Sequence, residues 1–161
     1  MLARRFGTGP PRPIIRSAVA LSIVLASPFA HAADLTGTVP AVADGDTFTL
    51  CAGVGAGERC EQIRLCGIDA PERGDALSAE ATQAMRQLTS SATVTCRPVG
   101  EGTVCDGRSR RRNGNRLVAQ CFVSGRDIAA ELVRQGLACD WVRFSGGHYG
   151  LVAGGAECPP R

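Results

Sequence analysis

Arg64-Leu65-Cys66-Gly67-Ile68-Asp69-Ala70-Pro71-Glu72 is a mostly apolar run bracketed by an arginine and an aspartate and stopped by a proline. It reads as a buried strand, Ile63 to Ile68, whose continuation Pro71 breaks so that Glu72 is presented on a loop. Three charged groups of mixed sign are thereby held near one strand end. Upstream, Asp44-Gly45-Asp46-Thr47 places two more carboxylates on a tight turn. Alone, Asp-Gly-Asp is a common turn and an Arg–Asp pair a common ion pair. Together, carboxylates and arginines with few histidines suit a hard cation and an anionic substrate such as a phosphodiester.

Residues 1–32 read as a cleaved signal peptide. Arg4, Arg5, Arg12 and Arg16 form a basic leader, Ser17 to Ala26 is an apolar run too short to span a bilayer, and Ala30-His31-Ala32 is a small-x-small cleavage site. The product is expected to be secreted or periplasmic, with no membrane attachment after cleavage. The chain has 18 basic residues, all Arg, and 15 acidic ones. Four of those arginines lie in the leader, so the mature chain carries 14 against 15 and is near −1. Its overall charge argues for no particular partner, and affinity for phosphate has to come from local clustering.

The roughly 129 residues that remain suffice for one compact domain. All eight cysteines follow the leader, at 51, 60, 66, 96, 105, 121, 139 and 158, with no Cys-x-x-Cys pair and one histidine, His148. That pattern excludes a zinc site and, in an exported chain, reads as disulfides. Cys51 and Cys60 flank a glycine-rich loop, Gly53 to Gly57, and are expected to pair across the mouth of a hairpin. The other six allow 15 pairings, among which Cys139 with Cys158 is the expected one.

Thr36–Ala43, Thr47–Leu50, Ile63–Ile68, Thr93–Cys96 and Arg116–Val123 read as five short strands. Leu77, Ala81, Ala84, Met85 and Leu88 recur at helical spacing over 75–90, with Asp75 as N-cap. Asp127 caps a second helix, Ile128 to Gln135, which Gly136 ends. Trp141 and Phe144 read as core or as a substrate edge. Five strands with a helix after the third match a Greek-key β-barrel of the OB type, an α+β fold. Between the last two strands lies a polar loop carrying Arg108, Arg110, Arg111 and Arg112. It is either a solvated charge run or a handle for polyanions.

The series Asp44-Gly45-Asp46-Thr47, then Arg64 with Asp69, Pro71 and Glu72, then Arg116-Leu117-Val118-Ala119, then Leu132-Val133-Arg134-Gln135-Gly136-Leu137-Ala138 resembles the staphylococcal nuclease (thermonuclease) family. The likeness runs from about Thr36 to about Phe144. The cysteine-rich context is similar to a secreted branch that includes proteins labelled for succinoglycan biosynthesis. The resemblance implies the five-stranded barrel over 33–145, followed by a Gly-rich tail, 146–161. It implies Ca²⁺ held by Asp46, Asp69 and the carbonyl of Ala70. It also implies Glu72 as general base, Arg64 and Arg116 as phosphate clamps, and a monomer that cuts DNA and RNA with little sequence preference.

Two departures keep a second reading open. The loop before Arg116 reads Arg112-Asn113-Gly114-Asn115, without the aromatic the family shows there, and the Gly-rich ending is a poor helix former. The alternative is a non-catalytic OB module that binds nucleic acid or an anionic polysaccharide. An accessory role in exopolysaccharide production rests on labels of relatives alone.

Overall fold

A computed structural model describes residues 34–53 and 57–159; the expected signal peptide lies outside them. Five strands close into a barrel. β1 (Leu35–Val42) and β2 (Thr47–Ala52) pair antiparallel, with Val42 opposite Phe48 and Thr38 opposite Cys51. Their register slips between Thr38 and Ala41, where Pro40 has no N–H to offer the ladder. β2 continues into β3 (Arg59–Leu65) as a hairpin that sets Thr47 opposite Arg64. β5 (Val94–Pro98) pairs antiparallel with β1 and with β7 (Arg116–Val123). A parallel pairing of β3 with β7, Ile63 to Leu117, closes the cylinder. The two-residue β6 (Arg112–Asn113) folds back on the start of β7, with Asn113 opposite Arg116. This is the five-stranded mixed barrel with helices that the strand pattern predicts.

Closure puts alternate side chains inside. Phe48, Leu50, Ile63, Leu65, Val94 and Leu117 are buried there. Two helices cover one end: α1 (Ser78–Thr89) supplies Ala81 and Met85, and α2 (Ile128–Arg134) supplies Ile128, Leu132 and Val133. Asp127 caps α2 as its side chain accepts hydrogen bonds from the N–H groups of Ala129 and Ala130.

All eight cysteines are paired. Cys51–Cys60 and Cys96–Cys121 each link directly opposed ladder positions, Cys66–Cys105 ties the polar loop to the barrel, and Cys139–Cys158 ties the chain end. Each typically contributes about 2–4 kcal/mol by restricting the unfolded chain. Four disulfides suggest an oxidising environment. Among the described residues no helix is long and apolar enough to cross a membrane.

Four local expectations are corrected. The third strand does not run on to Ile68. The chain turns at Gly67, φ +75°, and Ile68–Asp69 forms a separate β4 that pairs with β9 (Cys139–Asp140). Helix α1 begins at Ser78, and Asp75 does not cap it, because its carboxylate accepts instead from the Glu72 N–H. Leu77 precedes the helix in a left-handed conformation and is exposed rather than part of the buried stripe. The segment expected as a tail is packed. After β8 (Arg126–Asp127), α2 and β9 come α3 (Val142–Ser145) and α4 (His148–Ala153), whose Tyr149 is fully buried.

Candidate functional site

The Asp44-Gly45-Asp46 turn joins β1 to β2 and is locked by its own chemistry, the Asp46 N–H donating to Asp44 Oδ1 at 3.0 Å. Gly45 is dictated by packing. A Cβ there would come within 2.7 Å of the Cβ atoms of both Ala70 and Ala81, so only glycine lets α1 and the 70-loop close onto the turn. Asp46 is thereby driven inside. Its Oδ1 accepts from Thr47 Oγ1 and its Oδ2 from the Ala70 N–H, each at 3.0 Å.

Arg64, near the end of β3, meets this carboxylate from the opposed strand. One guanidinium nitrogen forms an ion pair with Asp46 and another donates to Asp69 Oδ1 at 3.2 Å. Asp69 reaches Arg64 because the Gly67 turn folds β4 back. A Cβ at Gly67 would approach the side chains of Ser145 and Tyr149 to 3.0 Å or less, so glycine serves both the left-handed turn and the close packing. Asp46, Arg64 and Asp69 are all buried. Two buried carboxylates thus share one guanidinium. Burial pushes the Asp46 carboxyl up to about 6, and Arg64 and the Ala70 N–H only partly offset it.

Arg116, first residue of β7, enters from the neighbouring parallel strand. Its side chain is half-buried, and its Nη1 lies 3.4 Å from Thr47 Oγ1, the hydroxyl that also bonds Asp46. Glu72 stands apart from the buried trio, exposed on the loop after Pro71 and two residues beyond Ala70 of the Asp69-Ala70 ligand candidates. The donor set that could hold a metal is all oxygen: the Asp46 and Asp69 carboxylates and the Ala70 carbonyl. Hard oxygen donors centred on two buried carboxylates fit a hard divalent cation.

The arginine loop is not one charge run. Arg111 pairs with Glu101 at 2.9 Å and also donates to the Val99 carbonyl, while Arg112 pairs with Glu61. Arg108 and Arg110, together with the Glu61-paired Arg112, line a groove of about 510 Å³ that begins at Arg64 and is walled on its other side by Trp141, Arg143 and Phe144. Arg143 carries no sequence motif. The only signal was its place between two aromatics. A second hollow, about 780 Å³, lies between α1 and the Asp44 turn and is lined by Arg73, Glu80 and Arg86. Its charges are of both signs, and none of the buried trio lines it.

The C-terminal cap hangs on Asp140, which is fully buried. Its carboxylate accepts from Ser145 Oγ and, at 2.7 Å, from the Gly150 N–H. The Tyr149 hydroxyl donates to Asp127 Oδ2 at 3.3 Å, and burial pushes its phenol pKa up. These bonds fix the turn bearing Trp141 and Arg143 against the barrel.

No curated protein matches the chain. A family model described as staphylococcal nuclease homologue matches residues 62–148, more than half of the 161 residues. The match takes in Arg64, Asp69, Glu72 and Arg116, and the fold brings the upstream Asp46 to them. The chain belongs to the staphylococcal nuclease homologue family.

Proposed function

We propose that the protein is a Ca²⁺-dependent endonuclease, exported to the periplasm or medium, that acts as a monomer on DNA and RNA with little sequence preference. The observation that carries this reading is the buried trio Asp46–Arg64–Asp69, in which two carboxylates share one guanidinium. A module that only bound polyanions would gain nothing from carboxylates desolvated at its centre, since they repel the ligand.

Asp46, Asp69 and the Ala70 carbonyl would hold the cation, which when bound neutralises phosphate charge and eases deprotonation of a nearby water. Arg64 and Arg116 grip the non-bridging phosphate oxygens with planar bidentate donors. Arg64 exchanges its carboxylate partners for phosphate as substrate docks, and Arg116 turns from Thr47 to the same group. Both then stabilise the extra charge of the five-coordinate transition state. Glu72, exposed at the mouth, accepts the proton of the attacking water.

The fold and family equally admit a non-catalytic binder, and the altered loop before Arg116 favours that second reading. Incubating the oxidised protein with single-stranded DNA decides between them. Cleavage with Ca²⁺ that stops in EGTA is expected; binding without cleavage in either condition supports the binder.

A further inference from the structure

The groove that starts at Arg64 is a built feature. Its loop wall is pinned by the buried Cys66–Cys105 disulfide, which attaches the loop two residues beyond Arg64. Cys105 opens a turn in which its carbonyl accepts from the N–H groups of Arg108 and Ser109, at 3.1 and 2.9 Å. The Arg108 guanidinium lies against Gly146, where a Cβ would come within 2.8 Å of Cζ. Gly146 is in the left-handed region at φ +69°, which favours glycine there.

The opposite wall is just as fixed. The Trp141 N–H of the main chain donates to the Gly67 carbonyl at 2.9 Å, and the indole packs edge-to-face on Phe144 with centroids 4.8 Å apart. Arg143 lies over the same Phe144 ring at 5.5 Å. Arg108, Arg110 and Arg143 have no acidic partner within 4 Å among the described residues, whereas Arg111 and Arg112 do. Three uncompensated guanidiniums therefore converge on one half-aromatic slot that runs directly from a proposed phosphate clamp.

The geometry points to a flanking-nucleotide subsite. Arg108 and Arg143 take the phosphate next to the scissile one, Arg110 adds charge at the rim, and the Trp141 face stacks on the intervening base. The stacking surface missing from the loop before Arg116 is thus supplied from the far wall. Because a duplex keeps its base faces inside the stack, such a subsite selects single-stranded polynucleotide. This assignment rests on the nuclease reading for what lies at Arg64, but it can be tested without catalysis.

Trp141 is the chain's one tryptophan, so its fluorescence reports on the groove directly. With EGTA present, an octathymidylate is titrated into the oxidised protein across a salt series. The expected result is quenching by the single strand and little by a duplex of the same length. Arg108→Gln and Arg143→Gln are each expected to weaken binding about tenfold and lower the salt slope by about 0.7. Trp141→Ala, followed by polarisation of a labelled oligomer, is expected to lose about tenfold. Equal quenching by duplex, unchanged slopes in both arginine variants, or equal affinity for polygalacturonate would each overturn the subsite. A parent that is quenched but never cuts DNA with Ca²⁺ keeps the subsite and defeats the nuclease. One that cuts but is not quenched does the reverse.

Discussion

The buried trio and the arginine loop hold the same kinds of charge and use them in opposite ways. Asp46, Arg64 and Asp69 are desolvated, mutually bonded and set by strand register, each within a strand end or tight turn. Arg108, Arg110, Arg111 and Arg112 are on the outside, and half of them are spent on surface acids. Buried charges interact strongly and cost much to unbalance, whereas exposed ones are screened by salt and contribute about 0–1 kcal/mol per pair. The first arrangement suits chemistry and the second suits capture.

The sharpest way to break that contrast is to unbalance the trio. Arg64→Met leaves two carboxylates buried without a cation and should cost about 3–5 kcal/mol in EGTA. Added Ca²⁺ should restore part of the lost thermal stability. Chemical denaturation with and without Ca²⁺ measures both, and a loss near that of a surface pair would place the trio on the same footing as the loop.

The next effect is the pH dependence of the Ca²⁺-free fold. Asp46 has a folded-state pKa raised from the usual 3.8 to about 6, so the folded state binds its proton more tightly than the unfolded chain does. Its contribution is therefore most favourable below about pH 4 and is lost as pH rises through 6, by on the order of 3 kcal/mol. Asp46→Asn should flatten the melting temperature across that window, and Ca²⁺ should stabilise the parent most above it. A parent curve parallel to that of Asp46→Asn would contradict the desolvated carboxylate.

The smallest effects sharpen the division inside the loop. Replacing Arg108 and Arg110 with Ser should raise KM several-fold and lower the salt slope by about 0.7 for each arginine that grips a phosphate. Replacing Arg111 and Arg112 with Ser should change both little, because their charges already face Glu101 and Glu61. Equal slopes for the two double variants would return the loop to a uniform charge run. Arg116→Ala should instead lower kcat, its work lying in the transition state.

Much of the barrel was legible because its signals are local. Asp-Gly-Asp specifies its own turn, the strands alternate in pattern, and Asp127 precedes an apolar run as caps do. The misreadings share one physical origin, competition from groups distant in sequence or geometry. Asp75 looked like a cap, but the Glu72 N–H took its carboxylate. Gly67 looked like part of a strand, although packing against Ser145 and Tyr149 demanded a turn. Glu61 is 51 positions from Arg112, so the division of the arginines could not be read along the chain. Arg143 became visible as a candidate only when the C-terminal cap folded back beside Arg108. The cap itself looked helix-poor, yet Asp140 and the Cys139–Cys158 bridge hold two short helical turns that propensity alone would not.

The central claim is that the buried trio and Glu72 do chemistry. Single-turnover cleavage of a labelled single-stranded oligonucleotide, with protein and Ca²⁺ both saturating, removes every difference in affinity. Comparing the parent with Glu72→Gln under those conditions isolates the proton transfer. The predicted result is a cleavage rate lower by about 10²–10⁴-fold in Glu72→Gln, with its Ca²⁺ binding by calorimetry and its melting temperature unchanged. Equal rates would contradict the role of Glu72, and a parent that does not cut at all would contradict the enzyme.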